Sequence, residues 1–217
     1  MKDRDTTEDA PETGWRGSPE GWLDAAYEML IEKGIDAVKI MPLATRLKLA
    51  RTSFYWHFRD REALLAALAD RWVSRTTLPL IAAAGEYADS EPEAMLNVIG
   101  CFIGETFDDR LEFAVRSWAL QDAGIMDRVQ GEDVKRLAAL SDLLRKWGHD
   151  PEDAEVRART IYLAQIGYIS MQVRESLALR MARIPHYVAI YSGGKFPAPR
   201  EMARFHARHG YTEGTEA

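Results

Sequence analysis

Between Arg51 and Arg61 the chain reads RTSFYWHFRDR, a run in which side chains able to recognise an anion alternate with aromatic rings. An arginine can donate two parallel hydrogen bonds to the O6 and N7 edge of guanine, which a lysine or a hydroxyl cannot match. Thr52 and Ser53 are short donors or acceptors. Tyr55 and His57 put polar tips on apolar stems, and Lys48 and Arg61 flank the run where they could hold phosphates. From Lys39 to Arg61 the basic residues are Lys39, Arg46, Lys48, Arg51, Arg59 and Arg61, against the single acid Asp60, although the chain as a whole carries a formal charge of −6. An acidic protein with one basic segment has one candidate site for an anionic partner. Ser53, His57 and Asp60 also bring a serine, a histidine and an acid together, but the serine has none of the glycines of a nucleophile elbow.

These side chains need helices to aim them. Ser18-Pro19-Glu20 combines a capping hydroxyl, a proline where no amide is needed and an acid facing the helix dipole, so a helix starts there. Leu23, Ala26, Tyr27, Leu30 and Ile31 give it an apolar face, and Lys33-Gly34 ends it. Pro42 opens a second short helix with Leu43, Ala44 and Leu47 inward. If Arg51–His57 is a third, Phe54 and Phe58 join that core while Arg51, Thr52, Ser53, Tyr55 and Trp56 divide between its sides and its outer surface. Asp60 caps a fourth, longer helix that reaches about Leu78-Pro79. A supporting helix, two short helices and a tight turn are the parts of a helix-turn-helix, whose second helix enters the major groove of DNA.

Leu43-Ala44 and Leu47, then Thr52-Ser53-Phe54-Tyr55-Trp56-His57-Phe58, then Arg61-Glu62-Ala63-Leu64-Leu65 resemble the DNA-binding domain of TetR-family transcriptional regulators. The resemblance covers Ser18 to Trp72, roughly a quarter of the chain. It implies that Arg51, Thr52 and Ser53 face the groove, that Tyr55 and His57 touch phosphate or sugar, that Trp56 lies near the DNA backbone and that Arg61 grips a phosphate. Thr45 and Lys48 complete the expected DNA-binding set. Lys48 stands where the family usually has glycine, at a cost of about 1 kcal/mol if left-handed. Ala50 stands where it usually has a capping serine or threonine, at a cost of about 0.5 to 2 kcal/mol.

The expected fold is all-α. A polar leader at 1–17, read as disordered, precedes a three-helix helix-turn-helix DNA-binding domain at 18–62; helix four, from about residue 60, connects it to a helical effector-binding and dimerisation domain at 63–217. Apolar residues at helical spacing run from Pro92 to Phe107, Leu111 to Leu120 and Ile125 to Trp147, and Asp150-Pro151 starts a long helix reaching Val173. A shorter apolar piece, Tyr187 to Tyr191, and a last turn or two from Pro199 to His206 follow. The resemblance implies a homodimer through the last two long helices, here Ile161, Ala164, Gly167, Tyr168 and Met171. It also implies a small-molecule effector in an apolar cavity, with Met95, Phe102, Phe107, Phe113, Trp118 and Gln121 as candidate lining; plain core is the other reading of the apolar ones, and solvated surface that of Gln121 and Arg116.

Cys101 reads as a small core residue, and His206 and His209 as an exposed tail without a third metal ligand. One cysteine and no long apolar run point to the cytoplasm. The function expected is therefore a regulator, more a repressor than an activator, that binds double-stranded operator DNA and is released by an unknown effector, with no cofactor, metal or membrane partner. A DNA-binding protein without an effector is the alternative, and a helical enzyme a weaker one.

Overall fold

A computed structural model describes residues 17–212, and all the regular structure among them is helical. The expected leader, apart from Gly17, lies outside the described residues. The chain divides after Leu68 into two compact units.

In the first unit, α1 spans Pro19–Lys33, capped by the Ser18 hydroxyl, which accepts from the Gly21 amide at 3.0 Å. Gly34, at φ 78°, closes it by donating its amide to the Leu30 carbonyl. The face turned inward is Trp22, Ala25, Ala26, Met29 and Leu30, so Leu23, Tyr27 and Ile31 from the expected face are only partly covered. A turn of 3-10 helix at Ile35–Ala37 leads into α2, Ile40–Leu47. Pro42 is thus the third residue of α2 rather than its first, still within the turn whose amides have no helical partner. After Lys48 comes α3, Arg51–Phe54, whose hydrogen bonding continues as a turn to Phe58, and then α4, Arg61–Trp72. Trp22 and Phe54 are fully buried and meet edge to face at 5.2 Å, with Phe58 stacked on Phe54 at 5.6 Å. That aromatic contact fixes α3 against α1.

In the second unit α4 ends in a π turn, Val73–Thr77, that runs straight into α5, Leu78–Gly85. The expected stop at Pro79 is absent for a specific reason. Proline has no amide to give to the carbonyl four residues back, that of Arg75, and the backbone amide of Asp108 takes that carbonyl instead at 3.0 Å. The remaining helices are α6 (Glu91–Ile103), α7 (Asp109–Ala119), α8 (Ala123–Lys146), α9 (Pro151–Ser170), α10 (Leu177–Tyr191) and α11 (Pro199–Arg208). α6 is buried along most of its length, from Pro92 to Cys101 apart from Glu93, and is the spine of this unit's core. The long helix expected to reach Val173 stops at Ser170, where Gln172 turns left-handed at φ 49°. α10 then starts from a Ser176 cap and passes through Pro185.

A charged cluster sits inside this core. Arg136 is wholly buried and donates to Glu112 at 2.8 and 3.1 Å, to the hydroxyls of Thr76 and Thr77 at 2.7 and 3.0 Å, and to Tyr162 at 2.7 Å. Trp72 donates its indole N–H to Glu112 at 2.6 Å. Burial alone would raise the Glu112 carboxyl, but the charge and hydrogen bonds of Arg136, with Arg116 and Trp72, outweigh it and hold the group below the usual carboxylate range. Arg116 is drawn into the same cluster through Glu112, Asp133 and Tyr162, so it is a structural residue and not the solvated side chain expected from sequence.

Candidate nucleic-acid interface

The turn between α2 and α3 is made by Lys48 in the left-handed conformation, φ 56° and ψ 38°, with its amide bonded to the carbonyl of Thr45 and that of Leu49 to Ala44. Lys48 takes up the backbone that glycine would adopt more cheaply and projects an exposed ammonium at the mouth of the turn. Ala50 caps α3 by backbone only. The hydroxyl that a capping residue would have supplied is partly replaced by Ser53, but in the opposite sense: Ser53 Oγ donates to the Ala50 carbonyl at 2.6 Å.

This bond settles the place of Ser53. It is 1% exposed, so it is not on the outer face with Arg51 and Thr52 as expected; its position on a helix anchored by Phe54 turns it inward. Arg51, Thr52, Tyr55 and Trp56 are exposed, and His57 is partly so. Arg51 donates to the Tyr55 hydroxyl at 3.1 Å with its guanidinium 5.9 Å from the ring centre. Thr45 is exposed one helix back, and its hydroxyl donates to the Met41 carbonyl at 3.0 Å.

The basic residues separate into two groups. Arg46 is engaged bidentately by Glu32 at 2.7 and 2.9 Å, and Arg59 by Asp60 at 2.7 Å. Arg61 was expected to hold a phosphate. Instead its guanidinium donates to the carbonyls of Val38 at 2.6 Å and Ile35 at 3.2 Å, so that it closes the 3-10 turn as an internal clamp. Asp60 caps α4 through the Ala63 amide at 2.8 Å, as its sequence position indicated. Among the described residues of this unit, the exposed cations not committed to an acid by a hydrogen bond are Lys33, at the end of α1, and Lys39, Lys48 and Arg51. Lys39, which precedes α2, carried no sequence signal beyond its charge. Arg51, Thr52 and Tyr55 leave exposed the types of side chain that base-edge and sugar-phosphate contact requires, and Lys39 and Lys48 are exposed in the same unit.

Residues 23–68 match the family profile described as bacterial regulatory proteins, tetR family. This segment therefore carries the DNA-binding domain of that family. The chain is 40% identical over 67 residues to the tetracycline repressor protein class D of Escherichia coli, covering 31% of each chain. It is 37% identical over 62 residues to an HTH-type transcriptional repressor of Mycobacterium tuberculosis, covering 28% of this chain and 24% of that one. The matched part therefore spans a third or less of these curated relatives. Solved structures extend the likeness in fold. A transcriptional regulator from Aquifex aeolicus VF5 superposes with a TM-score of 0.58 at 17% identity over 82% of this chain and 97% of its own. The fatty acid degradation regulator FadR from Bacillus halodurans does so with 0.60 at 14% over 87% and 98%.

In the second unit the structure distributes the expected side chains unevenly. Met95, Phe107 and Trp118 are core residues with at most 4% exposure, Phe102 and Phe113 are half-buried, and Gln121 is on the surface. None of the six lines the cleft of about 870 Å³ that lies between α5, α6 and α11. Of the expected dimer residues, Ile161 is buried within the unit, Ala164, Gly167 and Tyr168 are half-exposed, and Met171 is 78% exposed. Val156 and Leu163, which share a helix face with Gly167, are exposed and were missed. Their spacing on α9 was a legible signal. His206 and His209 are not an exposed tail: both Nε2 atoms are buried without a hydrogen-bond partner, and the His209 ring lies 4.5 Å from Phe205. Burial pushes the Cys101 thiol up to about 12, in keeping with a core role. Among the described residues no cluster of three metal-ligating side chains occurs and no helix is long and apolar enough to cross a membrane.

Proposed function

We propose that the protein is a homodimeric transcriptional repressor that reads an operator in double-stranded DNA through Arg51, Thr52 and Tyr55 and is released by a small-molecule effector. The observation that carries the reading is the exposed Arg51–Tyr55 pair on a helix whose other side is fastened by Phe54 to Trp22. A base-reading group needs that combination of free edge and rigid root. Trp56 and His57 stand beside the pair, placed for contact with sugar and phosphate, and Lys48 and Lys39 supply charge.

Dimerisation is supported by two apolar stripes. Val156, Leu163 and Gly167 recur on one face of α9, and Leu179 and Ile190 on one face of α10, all left partly or largely exposed. Two helices with such faces can be covered together by the same pair from a second copy, in an isologous four-helix contact. Effector control is supported by the cleft beside α5, since a domain that only held the dimer together would need no such space.

Selection of bound fragments from sheared genomic DNA by the purified protein tests the reading. Recovery of an inverted repeat with half-sites centred about 34 to 36 Å apart, or slightly more, is expected for a dimer presenting two recognition helices. Recovery of fragments with no common sequence would contradict it.

A further inference from the structure

The cleft between α5, α6 and α11 has an apolar floor and a charged rim. Leu78, Pro79, Ala82 and Ala83 from α5 form the floor, and Gly100 of α6, Gly104 at its end and the His209 ring packed on them form the facing wall. Leu78 is 55% exposed there, an uncovered leucine at the base of a concave surface. At Gly104 an added Cβ would stand 3.7 Å from the His209 ring, so that ring borders the cleft at the helix end. The volume of about 870 Å³ is that of a site for a drug-sized molecule.

The rim decides the charge of the occupant. Its ionisable groups are Glu86, Glu105, Arg208 and His209. Arg208 is already committed: it donates to Asn97 Oδ1 at 3.1 Å and pairs with Glu86 at 3.0 Å, while Asn97 is itself held by the Tyr87 carbonyl. His209 is pressed against α6 at Gly100 and stacked on Phe205; burial, then Arg208 and His206, lowers its pKa, so the ring is neutral near pH 7. Arg208 and Glu86 cancel, His209 adds no charge, and exposed Glu105 is left as the rim's excess. An anion would find no free cation here.

We propose that this cleft binds an organic cation with an apolar body, its aliphatic or aromatic part on Leu78, Pro79, Ala82 and Ala83 and its charge toward Glu105. The inference deepens the effector reading above and rests on it for the consequence at DNA. The occupant would bear on the π turn, because Ser74 and Leu78 face the cleft while Thr76 and Thr77, between them in sequence, are gripped by buried Arg136. A ligand pressing one side of that turn works against hydrogen bonds on the other.

Tetraphenylphosphonium and tetraphenylborate have the same shape and opposite charge, and their binding to the full protein can be compared by equilibrium dialysis. The phosphonium is expected to bind about tenfold more tightly. Ala83→Trp, which fills the floor, should weaken it by about tenfold, and Glu105→Gln, at an exposed position that cannot disturb folding by burial, should narrow the gap between the two ions. Equal binding of the two ions, or phosphonium binding unchanged in both variants, would overturn the proposal. Operator affinity measured on the same samples separates the two readings. Phosphonium bound with DNA affinity unchanged upholds the site and removes the effector role, whereas no preference for the phosphonium removes the site whatever the DNA does.

Discussion

The Arg51 guanidinium donates to the hydroxyl of Tyr55, one helical turn away, at 3.1 Å. The bond holds a long side chain extended along the exposed face of α3, so less rotamer freedom remains to be lost when it meets a base. Arg51→Ala should therefore cost about 1 to 3 kcal/mol of operator affinity and relax preference at a single base pair. Tyr55→Phe should weaken binding less while leaving base preference intact. Competition binding against a panel of single-base variants checks both, and uniform weakening across the panel by Arg51→Ala would contradict base reading.

Arg61 behaves differently in this account. Its guanidinium closes the Ile35–Ala37 turn through two carbonyls, so Arg61→Ala should destabilise the first unit by about 1 to 3 kcal/mol through the buried acceptors it abandons. The slope of log affinity against log salt should stay unchanged in the folded protein. A slope lower by about one ion with no loss of stability would restore Arg61 to a phosphate role.

Lys48 is exposed and holds a left-handed backbone at φ 56°. Lys48→Gly should raise stability by about 1 kcal/mol by removing the side-chain penalty, seen as a higher denaturant midpoint, and should also lower the salt slope of DNA binding by about one ion. A stabilised variant with an unaltered salt slope would show that the ammonium does not reach phosphate.

His149 is held between two carboxylates, Glu91 and Asp153, each 2.5 Å from a ring nitrogen. Burial would lower its pKa, but the two hydrogen bonds outweigh that and raise it. Its contribution to stability is therefore complete below the unfolded value of about 6.5 and is lost as pH rises through the raised folded value. Asp153 runs the other way: hydrogen bonds from Arg157 and His149 lower its pKa, so its contribution is present above about 3.9 and is lost as pH falls through the lowered value. His149→Gln should cost more thermal stability at about pH 5.5 than at about pH 9. An equal cost at both would mean that the ring acts by packing alone.

Arg136→Met should cost about 3 to 5 kcal/mol, because it strips the main counter-charge from a fully buried Glu112. Adding Glu112→Gln should recover part of that loss in urea unfolding. Additive losses would show that the pair is not coupled.

The first unit was largely legible because its local rules agree: Ser18-Pro19-Glu20, Gly34 and the Phe54/Phe58 spacing each mark a boundary or a face by themselves. What escaped there was side-chain commitment. Ser53 and Arg61 have the residue types of DNA contacts, and only the folded turn reveals that the carbonyls of Ala50, Val38 and Ile35 claim them first. In the second unit helix type was readable but destination was not. Periodicity identifies Met95, Phe107 and Ile161 as facing something, yet a core and a cavity or partner surface demand the same apolar residues. The continuation through Pro79 depended on the amide of Asp108, twenty-nine residues on, and no local pattern contains that bond.

In the proposed function α3 reads base sequence through Arg51 and Thr52. The most direct measurement is the affinity of the purified protein for its selected inverted repeat and for a scrambled duplex of equal length and composition, both at near-physiological salt. A preference for the repeat of about a thousandfold or more is expected, as for specific recognition through base edges. Equal affinity for the two duplexes would contradict it, and would reduce Arg51, Lys48 and Lys39 to a sequence-blind positive surface.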